Sequence, residues 1–104
     1  MTQAAPAHHI ESVWLVEATY APDAPETRAP FRASHLARMA ELRATGTVVE
    51  VGAFADVSAS LITVRAGSEE AALEVCRDDV YMRNGVWVEL RARPFGRLEL
   101  DEQA

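Results

Sequence analysis

The sequence contains no lysine, and all ten of its basic residues are arginine. Schiff-base chemistry and lysine general bases are therefore excluded. A single cysteine, Cys76, leaves no internal disulfide and no cysteine-based zinc site to consider. Positive charge is scarce: ten arginines against sixteen acidic residues give a net charge of −6. Nucleic acids and anionic membrane surfaces both require basic patches, so neither is an expected partner. No apolar run approaches the roughly 18–20 residues that span a bilayer. Residues 1–9 lack the basic stretch followed by an apolar one that marks a secretory signal, and a cytoplasmic location is expected. There is no glycine-rich phosphate loop, and Ser58 and Ser60 lack the G-x-S-x-G setting of a hydrolase nucleophile. His8 and His9 have no carboxylate cluster at ligand spacing beside them, so no metal or other cofactor is expected.

What is present is enough apolar sequence, 49% of 104 residues, for one domain with its own core. Residues 1–10 read as a loose tail, 11–98 as the domain and 99–104 as a polar tail. Alternating apolar residues predict strands over 12–20, 47–55, 60–65 and 86–93, the last closed by Pro94. A helix is predicted over 31–45, stopped by Gly46. A second, capped by Ser68 with Glu69 and Glu70 in its first turn, runs to about residue 78, followed by a turn-like stretch over 79–85. The order β-α-β-β-α-β is the ferredoxin-like α+β pattern, with an antiparallel four-stranded sheet and both helices on one face. Strict alternation places Trp14, Val16 and Ala18 opposite Val13, Leu15 and Glu17 in the first strand. In the last it places Val86, Val88 and Leu90 opposite Trp87, Glu89 and Arg91. Neither strand has a fully polar face, which predicts a homodimer built on the uncovered side of the sheet.

Leu36, Met39, Ala40 and Leu42 mark the expected buried stripe of the first helix, and His35 lies in line with Met39 and Leu42 at its edge. The stripe of the second helix is Ala72, Val75 and Cys76, and its continuation lands on Asp79. A buried carboxylate is costly unless paired. The partner could be an arginine such as Arg77 or Arg83, or it could be His35, because both helices cover the same sheet face. In the second case the carboxylate fixes which imidazole nitrogen carries the proton and leaves the other free to accept one. Exchange of His35 for alanine would then remove turnover and leave stability nearly untouched.

Arg32-Ala33-Ser34-His35-Leu36 resembles the R-x-x-H-L motif of the YciI-like, or YCII-related, family. The segment Asp79-Val80-Tyr81-Met82-Arg83-Asn84-Gly85-Val86 is similar to its D-P-[YF]-x-x-x-G-[VL] segment, and Arg93-Pro94-Phe95 to its terminal [KR]-P-F. Gly52 stands where the family has an A-G-P turn. Val80 and Ala53 replace the two prolines of these patterns. The resemblance covers roughly residues 13–98. It implies a dimeric α+β barrel with a His35–Asp79 dyad, Arg32 as a substrate-binding residue, and a small-molecule substrate. Gly52, Phe54 and Tyr81 are candidates for the pocket wall. Activity in the family includes elimination of chloride from a chlorinated hydroxyquinol. The readings weighed are an acid–base enzyme for elimination, isomerisation or cyclisation, a non-catalytic binding module on the same scaffold, and a monooxygenase of the related barrel fold.

Overall fold

The computed structural model describes residues 8–100; residues 1–7 and 101–104, which hold most of the two expected tails, lie outside them. The elements are β1 (His8–Tyr20), α1 (Ala24–Thr27), a 3-10 turn (Ala29–Phe31), α2 (Arg32–Ala44), β2 (Val48–Ala53), β3 (Ala59–Val64), α3 (Glu69–Arg77), α4 (Val80–Arg83) and β4 (Trp87–Leu100). Apart from the single turns α1 and α4 this is the expected βαββαβ order. The sheet runs β2-β3-β1-β4, and every neighbouring pair is antiparallel. Local chemistry sets the helix ends. Ser68 accepts the Ala71 N–H at 3.1 Å to cap α3. Gly46, at φ +88°, takes the left-handed position just past α2 that a side chain would resist. Met39 of α2 and Ala72 and Cys76 of α3 join Val16, Ala18, Ile62 and Val64 of the sheet in one core, so both helices cover the same face.

Three details depart from the pattern read along the chain. First, β4 does not stop at Pro94, and β1 begins at His8 instead of residue 12. As an edge strand β4 pairs only with β1, and proline is tolerated on an edge where no outward N–H is needed. Second, the β1–β4 register shifts between Thr19 and Tyr20, which face Glu89 and Trp87 respectively. A bulge of this kind inserts one residue and reverses the alternation beyond it. Trp87 therefore shares the helix-side face with Leu90, not the opposite one, and Val88 is left 54% exposed. Third, the buried stripe of α2 is rotated toward His35. His35 and Met39 are buried, Leu42 is half-buried, and Leu36 and Ala40 are exposed. The reason lies in α4, whose Tyr81 ring packs flat against the imidazole beneath the start of α2.

Candidate active site

The site is built around the short break between α3 and α4. Asp79 sits there in an extended conformation (φ −73°, ψ 143°) as the N-cap of α4. Its Oδ1 accepts the Tyr81 N–H at 2.9 Å and the His35 Nδ1–H at 2.8 Å. Its Oδ2 accepts a hydrogen bond from Arg38 Nη1 at 3.2 Å, while Arg38 Nη2 donates to the Val75 carbonyl at 2.8 Å. The carboxylate has no exposed surface. Burial pushes its pKa up, but the hydrogen bonds from His35 and the Tyr81 N–H, with the positive charge of Arg38, outweigh it and hold the carboxyl below its ordinary value. The arginine that holds Asp79 is thus Arg38. Arg77 pairs instead with Glu70 and Glu74 on its own helix.

An ionised Asp79 can only accept, so Nδ1 of His35 carries the proton and Nε2 is the free nitrogen. The ring is 5% exposed and rigidly held. It stacks on Tyr81 at 3.9 Å between centroids and 10° between planes, and meets Trp87 edge-on at 5.3 Å. Nε2 makes no hydrogen bond among the described residues, and His35 lines a cavity of about 190 Å³. Its volume matches one ring: a dry engineered cavity of about 150 Å³ accepts benzene.

Four of the six residues singled out in the sequence meet at this cavity: Arg32, His35, Gly52 and Tyr81 line it. Asp79 stands behind His35, away from the opening. Phe54 lies past the end of β2, 49% exposed and outside the cavity wall. The structure adds Arg28, Tyr20 and Ser60 to the lining, with Ser60 Oγ 3.1 Å from the Tyr20 hydroxyl. Arg38 was within reach of sequence reasoning, because it lies three residues beyond His35 and shares its helix face. Tyr20 and Ser60 were not, because only the β1–β3 register brings them together. Cys76, packed beside Asp79, is driven by burial, with the Asp79 charge assisting, to a pKa of about 12. It remains a thiol, and a nucleophilic role is closed to it.

These features define an α+β domain of the ferredoxin-like type with a buried His–Asp pair beside a ring-sized cavity. The chain belongs to the YCII-related domain family, whose model matches residues 12–96. Its fold is similar to that of 5-chloro-2-hydroxyhydroquinone dehydrochlorinase from Burkholderia phenoliruptrix, solved in complex with 2,5-dihydroxybenzoquinone. The TM-score is 0.67 at 18% sequence identity, covering 78% of this chain and 90% of that one. None of the curated proteins matches the chain in sequence.

Proposed function

We propose that this chain is a cofactor-independent enzyme of general acid–base type, acting on a small aromatic or carbonyl-bearing metabolite by elimination, isomerisation or cyclisation. The observation that carries the reading is the 2.8 Å contact between His35 Nδ1 and the buried Asp79, with His35 itself in the wall of a cavity. Nε2 of His35 takes the substrate proton. Asp79 keeps the ring oriented and stabilises the imidazolium that results. Arg32, at the cavity wall, steadies the negative charge that develops on a substrate oxygen. Gly52 offers bare backbone and Tyr81 a flat wall against which a ring can lie. Such a base contributes on the order of 10²- to 10⁴-fold in rate, so the substrate must carry an activated C–H or a good leaving group. The similarity of fold to a dehydrochlorinase that binds a single-ring quinone supports this size and class. A non-catalytic binding module would be favoured by a filled pocket or a separated pair, and neither is found. The active form is a cytoplasmic homodimer in this reading.

The test is a panel of small phenolic and carbonyl compounds, 5-chloro-2-hydroxyhydroquinone among them, incubated with the protein in D2O. Proton NMR follows loss of acidic C–H signals, and an ion electrode follows chloride release. The diagnostic variant is His35→Asn, because the asparagine amide reproduces the Nδ1–H donor to Asp79 and has nothing in place of Nε2. Turnover should fall by about 10²- to 10⁴-fold in that variant. Turnover at the wild-type rate by His35→Asn would overturn the assignment. Alanine is a poor substitute. Contrary to the expectation from the sequence, the imidazole is part of the core, and its removal leaves Asp79 short of a buried partner, an error of about 3–5 kcal/mol.

A further inference from the structure

The cavity has two cations that the acid–base reading does not account for together. Arg28 and Arg32 both line it, four residues apart on either side of the 3-10 turn. Neither guanidinium has a carboxylate partner among the described residues, although acidic side chains outnumber arginines in the chain. Both positive charges border one cavity, so an anion placed there is attracted by both. The other arginines near the site do have acceptors: Arg38 is taken by Asp79 and Val75, and Arg43 by the Val49 carbonyl. The two cations are also close enough to the Tyr81 hydroxyl to offset part of the upward pull that burial exerts on it. Tyr20 and Ser60, joined by the Ser60 Oγ–H that donates to the Tyr20 hydroxyl, complete the wall with neutral polar groups. One wall of the cavity is therefore cationic, another carries hydroxyl groups, and His35 stands between α2 and Tyr81.

The geometry points to a small carboxylate as the ligand of this cavity, no larger than one six-membered ring, with its carboxylate clamped by Arg28 and Arg32. The pairing is chemically specific. A guanidinium presents a planar fork of N–H groups that matches two carboxylate oxygens, and two forks hold one anion against rotation. A carboxylate so held leaves the adjoining carbon or ring to lie against Tyr81, within reach of His35. Arg28 is thus a binding residue, and the substrate class narrows from small metabolites in general to small acids. The inference rests on the acid–base reading for what happens next, but binding itself does not require the base.

Sodium benzoate and benzamide test it, since they share shape and differ in charge. Titration of the full-length protein by calorimetry should show benzoate binding at least tenfold more tightly than benzamide, and the difference should shrink as salt is raised. Arg28→Gln and Arg32→Gln, checked for fold by circular dichroism, should each weaken benzoate at least tenfold and leave benzamide unchanged. Benzamide binding as well as benzoate, no benzoate binding at millimolar concentration, or full affinity in both glutamine variants would each overturn the clamp. The two readings fail separately. Benzoate binding without any His35-dependent proton transfer removes the catalytic reading and leaves the clamp, whereas proton transfer without benzoate binding does the reverse.

Discussion

Asp79 concentrates most of the site's energetics in one carboxylate. It caps α4, orients His35 and receives Arg38, so each change to it disturbs three donors at once. Asp79→Ala removes the acceptor of all three hydrogen bonds and leaves a buried imidazole and a half-buried guanidinium short of a partner, a loss of about 3–5 kcal/mol. Asp79→Asn keeps an oxygen for the Tyr81 and His35 donors but turns an amide toward Arg38, and should cost less, about 1–3 kcal/mol. The depressed pKa gives the same group a pH signature. Between the lowered value in the folded state and the ordinary value in the unfolded chain, only the unfolded chain binds the proton. Stability therefore rises with pH through that window. The contribution is complete above the ordinary aspartate value of about 4 and is lost as pH falls through the depressed one. Thermal midpoints of wild type and Asp79→Asn, measured from neutral to acid pH, should converge toward the acid end. A constant gap would show that Asp79 is not ionised in the folded protein. The neighbouring Cys76 offers a second check. Its thiol, raised to about 12 and fully buried, should resist iodoacetamide in the native protein and react at an ordinary rate in urea.

At the scale of elements, α4 is four residues long and exists because Asp79 starts it and Asn84 and Gly85 end it, the glycine at φ +73°. Val80 occupies its first position, where the family pattern has proline. Asp79 already has the extended backbone that a following proline demands, and the first N–H of a helix has no intrahelical acceptor to lose. Val80→Pro should therefore fold normally and gain between zero and about 1 kcal/mol in urea denaturation, through a stiffer unfolded chain. A loss of more than that would mean that the half-buried Val80 side chain matters more than its backbone. What could be read from the sequence follows the same division between local and non-local causes. The spacing of Ala72, Cys76 and Asp79 survives the end of α3, so the helical count reached the buried carboxylate. Strict alternation puts Trp87 on the wrong face because a bulge adds a residue without any mark in local composition. Pro94 reads as a strand end because edge position is a property of the sheet order, not of the residue. Arg38 carries no mark in the sequence beyond its place one turn past His35, although its head group is committed to Asp79 and Val75.

The described residues measure 60 × 28 × 23 Å, long for one domain, because residues 8–13 of β1 and the far half of β4 form a ribbon that no other described strand supports. A two-stranded ribbon is marginal by itself in water. Ile10, Leu98 and Leu100 on its helix-side face are more than half exposed. The opposite face of the sheet presents a second apolar strip, Leu15, Leu61 and Phe95, in a shallow groove beside Glu50 and Thr63. Stray pairing along the outer edge of β4 is discouraged by Pro94 and by the arginines that flank it, Arg91, Arg93 and Arg97. Association through faces is not discouraged in this way. In the homodimer proposed above, a second copy would cover the groove and brace the ribbon. Sedimentation equilibrium should then give about twice the 11.4 kDa of the chain at micromolar concentration. Leu61→Glu, whose side chain faces the groove and not the core, should sediment as the single chain with its helical signal intact. Leu98→Glu on the ribbon should weaken association without abolishing the fold. A wild-type protein that sediments as a single chain would remove the second copy from the reading, and the cavity beside His35 would then have to work within one chain.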